Sequence, residues 1–281
     1  MRLRTVIEPD TPAFHRGGSG EPLVLVHGGG GTRRLWRTAI PLLERDHDVL
    51  AVTLRGHFGG VPLAAGAEAS VAALVDGVEQ DMDEAGFGTA HVAGGSLGGW
   101  VALELARRGR ARTAIAIAPA GGWERGSPEL RRVARIYRFL IAGSRLSAPY
   151  ARLLASRPRL RRLGAWHHFA HPERMDPDDF AYMIAGAAAA ESLQRGLARA
   201  TEEEGAVGLD EIDCPVLLAF PEGDVILPRT RYGEHFVRAI PHAEVVDLPG
   251  VGHAAMVDDP ELVARTIAGF TRRHASATAA A

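Results

Sequence analysis

Gly94-Gly95-Ser96-Leu97-Gly98 decides how this chain reads. His91-Val92-Ala93, just before it, is short and apolar, as the end of a buried strand would be. Gly99-Trp100-Val101-Ala102-Leu103-Glu104-Leu105-Ala106, just after it, reads as a helix. A serine therefore stands on a sharp strand-to-helix turn with glycines on both sides. In that context G-x-S-x-G is the pattern of a nucleophile elbow, where a strained backbone lifts the hydroxyl clear of the sheet. Strand and helix nearly touch there, so the positions two residues away must be small, and Gly94 and Gly98 meet that need. The Leu97 amide opens the helix, where unpaired N–H groups can face an oxyanion. The competing reading is a glycine-rich packing turn with an incidental serine.

A serine nucleophile needs a base, and the base needs a carboxylate to orient it. Pro215-Val216-Leu217-Leu218-Ala219-Phe220 is a strand pattern followed by Pro221-Glu222-Gly223-Asp224. Ala243-Glu244-Val245-Val246-Asp247-Leu248 is another, followed by Pro249-Gly250-Val251-Gly252-His253. Both candidates lie just past the C-terminal end of a strand, where open α/β sheets place their sites. The chain order Ser96, Asp224, His253 is that of the α/β-hydrolase arrangement.

On these residues the chain resembles an α/β-hydrolase-fold enzyme of the capped esterase and lipase type. Leu25-Val26-His27-Gly28-Gly29 resembles that family's strand and oxyanion loop, and Leu54-Arg55-Gly56-His57 the loop after the next strand. Glu222-Gly223-Asp224 and Gly252-His253 resemble its acid and base segments. The match runs from about residue 23 to about residue 270 in the family's order. The resemblance implies Ser96 as nucleophile, His253 as base and Asp224 as its orienting acid, with the backbone amides of Gly29 and Leu97 as the oxyanion hole. Glu222 and Asp247 compete for the acid role; Asp224 is favoured because the family's acid follows Gly in this segment. No carboxylate directly follows the strand Thr113–Ala118, the acid's alternative place in some relatives.

Composition fits an enzyme with a large core. A chain of 281 residues is long enough for one large α/β domain or two small ones, and at this size about 75 % of the unfolded surface is buried. A net charge of −2 argues against general nucleic-acid binding. The one cysteine, Cys214, excludes an internal disulfide and reads as a buried, inert thiol beside Pro215. Every basic side chain other than histidine is arginine, so lysine and Schiff-base chemistry are excluded. Met1-Arg2-Leu3-Arg4-Thr5-Val6-Ile7-Glu8 lacks the apolar region of a signal peptide, and no run approaches the ~18 apolar residues of a membrane span. The cytoplasm is the expected compartment and a small molecule the expected partner. No cofactor is implied. The oligomeric state is open, a homodimer among the options.

Strands and helices alternate along the chain. Residues 3–7 and 13–16 suggest an opening hairpin; Leu23–Val26, Val49–Leu54 and Thr113–Ala118 read as strands, and Trp36–Glu44 and Val71–Ala85 as helices. This predicts a mostly parallel central sheet with helices on both faces. From about Gly122 to Gly205 no strand pattern appears, but helical stretches do, such as Pro128–Ala142 and Pro177–Ala200. The expected organisation is a core of residues 1–121 and 206–281 and, by resemblance, a helical cap over the site at 122–205. The tail Ala275–Ala281 is expected to fray.

Gly28-Gly29-Gly30-Gly31 lacks the Gly-Lys-Ser/Thr ending of a phosphate loop, and Arg33 stands where a dinucleotide fingerprint has its third glycine. It reads instead as a loop whose amides approach developing negative charge. His167, His168 and His171 invite a metal reading, but no His-Glu-x-x-His pattern accompanies them and no metal is expected. His27 and His57 read as structural loop residues. Gly28, Trp123 and Trp166 are candidate substrate contacts, the tryptophans as walls of an acyl or aromatic pocket. The stretch Arg125–Arg162, dense in arginine, suits a solvated face, an anionic substrate group or a membrane surface.

The expected reaction is hydrolysis of an ester or related acyl bond of small to medium size. Two alternatives stand beside it. One is a carbon–carbon hydrolase, lyase, thioesterase or cyclase on the same site; the other is a non-catalytic ligand-binding receptor. Gly95 before the nucleophile and Ala254 after the base weigh against carbon–carbon cleavage, whose enzymes often carry Asn and Trp there. Thr53 replaces the Asp many relatives have before the His57 loop. Ser96 itself excludes the aspartate nucleophile of epoxide hydrolases and haloalkane dehalogenases of the fold.

Overall fold

The computed structural model describes residues 6–64, 66, 68–199 and 204–275. Seven strands form one sheet: β1 (Phe14–Gly18), β2 (Glu21–Val26), β3 (His47–Val52), β4 (Ala90–Gly95), β5 (Ala111–Ile117), β6 (Val216–Pro221) and β7 (Glu244–Leu248). Their spatial order is β1-β3-β2-β4-β5-β6-β7. Only β1 runs antiparallel to its neighbour, with Phe14 opposite Val52; the other five pairings are parallel.

The sheet forms because its central strands are apolar on both faces. Leu23 and Leu25 of β2 enter one buried cluster with the helices α1 (Ile40–Leu43) and α11 (Pro260–Arg273). Val24 and Val26 point the other way, into a cluster with α2 (Val71–Glu84), α3 (Leu97–Arg107) and α9 (Arg229–Ala239). That alternation along one strand is what places helices on both faces.

Between β5 and β6 the chain leaves the sheet. It forms α4 (Pro128–Ser147), α5 (Ala151–Ala155), α6 (Pro158–Ala165), α7 (Pro177–Ala189) and α8 (Glu191–Arg199) before returning. A third apolar cluster joins this insertion to the sheet's C-terminal edge through Leu130, Tyr137, Leu197, Leu227 and Tyr232. A short α10 (Ala255–Asp258) follows the His253 turn.

Three local expectations change. The opening hairpin does not form within the described residues: β1 pairs with β3, residues 6–10 carry no strand, and residues 1–5 lie outside the described residues. Trp36–Glu44 is not one helix. A 3-10 turn over Arg33–Trp36, capped by the Thr32 hydroxyl accepting from the Arg34 amide, precedes the four-residue α1. The helix expected over Pro177–Ala200 breaks at Ala190, where the Ser192 amide donates to the Gly56 carbonyl instead of continuing the ladder. The tail expected to fray lies, from residue 276 on, outside the described residues.

Candidate active site

Ser96 sits at the turn from β4 into α3 with φ 56° and ψ −117°. A non-glycine residue in that region is strained, and persists only where its surroundings hold it. Here the Ser96 amide donates to the Ile117 carbonyl at 2.8 Å, while its carbonyl accepts from Trp100 at 3.1 Å and Ala120 at 3.0 Å. The glycines permit the close crossing: a Cβ on Gly94 would collide with the Gly98 carbonyl, and one on Gly98 with the Val26 carbonyl. The serine is buried, yet it lines an internal cavity.

Asp224 follows β6. One carboxylate oxygen accepts from the amides of Ile226 (2.8 Å) and Leu227 (2.9 Å); the other accepts from His253 Nδ1 at 2.7 Å. Burial pushes this carboxyl up. The charge and hydrogen bond of His253, with the two amides, outweigh that and hold it below its ordinary value. An ionised carboxylate only accepts, so Nδ1 must carry a proton, and in the neutral imidazole Nε2 is then the nitrogen with the lone pair. That Nε2 is buried and has no hydrogen-bond partner, which leaves it available to take a proton. The rival acids are engaged elsewhere: Asp247 pairs with Arg229 at 3.0 Å, and Glu222 accepts from the Gly250 amide. The His253 turn is fixed by Asp258, a residue the sequence reading passed over. Its carboxylate accepts from Gly252 (2.8 Å), Ala170 (2.8 Å) and His171 (3.1 Å), and the Ala254 amide donates to the His168 carbonyl at 2.9 Å.

The loop after β2 runs beside the serine: a Cβ on Gly28 would lie 3.2 Å from that of Ser96. A Cβ on Gly29 would lie 3.8 Å from the Leu97 side chain, so the two residues that carry the candidate oxyanion amides are neighbours. Neither amide is used in the turn and loop hydrogen bonds of the described residues. His27 is structural. It accepts from the Leu54 amide at 3.0 Å, joining the ends of β2 and β3, and burial, with the nearby His57, lowers its pKa to about 3. His57 is likewise held neutral by burial, to about 4, and bonds Ser192 of α8 at 2.9 Å.

The cavity above Ser96 has about 770 Å³ of empty space counted out to its mouth. Its walls are mostly apolar and come from α4, α8 and the segment 69–74. Trp123 lines it, edge-on to Trp100 at 5.8 Å, with its indole N–H unpartnered. Trp166 does not. It follows the last residue of α6, whose inward face carries Arg161 and Ala165, and it is 61 % exposed. Sequence reasoning also missed Tyr137. It lines the same cavity as Ser96, close enough for the serine to influence its hydroxyl, and burial raises its pKa to about 12, so it remains a donor. The spacing of Leu130, Val133, Ala134, Tyr137 and Ile141 marks one buried face of α4; nothing in it says that this face meets the serine.

A model described as the alpha/beta hydrolase family matches residues 23–266. The chain belongs to this family. It is 36 % identical over 213 residues to the protein named epoxide hydrolase EphH of Mycobacterium tuberculosis, covering 72 % of this chain and 94 % of that one. Among solved structures it is similar to a thermophilic esterase from Thermogutta terrifontis, with TM-score 0.73, 24 % identity and coverage of 97 % and 99 %. It is also similar to an enol-lactonase from Burkholderia xenovorans, with TM-score 0.69, 19 % identity and coverage of 92 % and 95 %. The structural likenesses, at that identity, speak for the fold; family and relatives together make this chain a hydrolase.

Other candidates in this hydrolase serve packing. His168 stands 6.0 Å from the His253 ring, and burial, then His167 and His253, holds its pKa well below the usual range. His171 instead faces Glu173 at 3.6 Å. Burial pushes the Cys214 thiol up to about 11, which leaves it unreactive at ordinary pH. The Thr53 hydroxyl accepts from the Arg33 amide at 3.3 Å. Among the described residues, no helix is long and apolar enough to cross a membrane.

Proposed function

We propose that this hydrolase cleaves an ester or related acyl bond through a serine acyl-enzyme. The observation that carries the reading is the Asp224–His253 pair, at 2.7 Å with the imidazole Nε2 unpartnered, on the same sheet edge as a strained Ser96. Ser96 Oγ attacks the carbonyl carbon while His253 Nε2 takes its proton. The tetrahedral intermediate collapses as His253 returns that proton to the leaving oxygen, and water repeats the sequence to free the acid. Asp224 fixes the tautomer and stabilises the imidazolium. The Gly29 and Leu97 amides hold the oxyanion, each contributing about 3 kcal/mol. Residues 122–205 act as a cap on a core of 1–121 and 206–281, and the cavity they roof takes small to medium acyl groups. Ser96→Ala, assayed on p-nitrophenyl acetate and butyrate, tests the reading; wild-type rates in the variant would end it.

Epoxide opening is the second reading, favoured by the Tyr137 phenol beside Ser96 and by the name of the Mycobacterium tuberculosis relative. Attack by Ser96 itself would form an ether, which water does not release, so this route needs water activated by His253 and protonation of the epoxide oxygen by Tyr137. The two readings separate cleanly: Ser96→Ala abolishes the first and spares the second, whereas Tyr137→Phe abolishes only the second.

A further inference from the structure

We propose that the outward face of the helical insertion docks on an anionic lipid bilayer. Two independent features mark its exposed side chains. The first is apolar exposure. Of the thirteen large hydrophobic side chains exposed among the described residues, seven fall between residues 139 and 166. Phe139, Leu146, Leu163 and Trp166 are between 61 % and 80 % exposed. Phe139 and Leu146 are seven residues apart on α4, on the face opposite Val133, Tyr137 and Ile141, which look into the molecule.

The second feature is charge. Residues 130–172 hold ten arginines and no aspartate or glutamate, in a chain whose net charge is −2. Eight of the ten are exposed. Among the described residues, only Arg152 of those eight lies within 4 Å of a carboxylate, that of Asp178. Arg135, Arg159 and Arg162 lie within one helical turn, in sequence, of exposed apolar side chains and, among the described residues, within 4 Å of no carboxylate, though the charge of Arg162 reaches Glu173.

Arginine stems lie along apolar surface while their heads stay with anions, and tryptophan favours the headgroup level of a bilayer. A helix that mixes these side chains on its free face binds in the plane of an anionic interface. A second copy meeting the same face would set arginine against arginine with no carboxylate between them. Nucleic acid would use the arginines but would leave Leu146 and Leu163 in water. The bilayer uses both features. The inner face of α4 walls the cavity over Ser96, so docking would set that cavity against the lipid surface.

Flotation of the full chain with phosphatidylcholine vesicles, with and without phosphatidylglycerol, tests this at low and high salt. Binding is expected only with phosphatidylglycerol and weakens with salt. Arg135→Gln/Arg159→Gln/Arg162→Gln is expected to weaken it on the order of a hundredfold. Phe139→Ser/Leu146→Ser/Leu163→Ser is expected to abolish it; circular dichroism and the melting midpoint report whether each variant is folded. Brominated lipid is expected to quench Trp166, and Trp166→Phe to remove that quenching. The proposal is overturned by no flotation, by equal binding to neutral vesicles, or by undiminished binding of both folded triple variants. It is also overturned if the apolar triple variant breaks a dimer in solution while the wild type ignores vesicles. None of these readouts depends on the acyl-transfer reading.

Discussion

Arginines in the sheet-bearing part of the molecule meet carboxylates at close range: Arg16 with Asp48, Arg107 with Glu104, Arg108 with Asp76, Arg110 with Asp83 and Arg229 with Asp247, all at 3.0 Å or less. In the insertion, over residues 130–172, the arginines mostly bond backbone carbonyls or face outward, as Arg132 does with Val225 and Ile226, and Arg138 with Leu197. Exposed pairs stabilise by only about 0–1 kcal/mol each, so this difference is not chiefly one of stability. It separates a body whose arginines are largely paired from a layer, the insertion, whose arginines largely are not. Change in the body should strike turnover of every substrate, and change in the layer should alter which substrates are taken.

The largest expected effect tests that division at its root. Ser96→Ala, and separately Asp224→Asn, should lower turnover of all acyl substrates about ten-thousandfold with little change in KM; a loss confined to some substrates would mean that the body also selects. Next comes Gly94→Ala, which forces β4 and α3 apart. It should cost about 1–3 kcal/mol of stability, read as a lowered urea midpoint, and an unchanged midpoint would show that the close crossing is not required. Third, Trp123→Ala should shift the kcat/KM ratio between butyrate and palmitate esters roughly tenfold while leaving acetate turnover near wild type. A palmitate optimum in the wild type, unmoved by the substitution, would remove the size limit from the insertion.

A last effect, read through pH rather than substrate, lies on the seam between the two regions, where His57 bonds Ser192. Burial keeps His57 neutral in the folded chain down to about pH 4, while unfolded histidine protonates near 6.5. The unfolded chain therefore binds the proton first. His57's contribution is complete above about pH 6.5 and is lost as pH falls toward 4, by about 1.4 kcal/mol per pH unit. His57→Gln should flatten the fall of the melting midpoint across that window; an unchanged slope would place the protonation on other buried histidines.

The same two regions differ in how far the sequence discloses them. Strands β2 to β7 announce themselves as apolar runs ending at glycines, and the elbow, Asp224 and His253 can be read because each sits at a strand end. What failed depends on contacts distant in sequence. β1 found β3 rather than a hairpin partner, and α7 parts from α8 where Ser192 turns to Gly56. Tyr137 and Trp166 are both aromatic residues among arginines, and local pattern does not say which helix face meets the serine. The helical turn decides it: Tyr137 falls in register with Leu130 and Val133, whereas Trp166 lies beyond the buried face of α6.

Asp258 has a mechanical meaning beyond its three hydrogen bonds. By holding Gly252 on one side and Ala170 and His171 on the other, it rivets the rear edge of the roof to the turn that carries His253. Prising that edge up would break three hydrogen bonds, those of the Ala170 and His171 amides to Asp258 and of the Ala254 amide to His168, beside the turn that carries the imidazole. On the proposed cap reading, traffic is expected at the opposite rim, where α4 and α8 line the cavity together with Ala69, Ser70 and Val71. Product can then depart without disturbing the geometry that the next turnover requires.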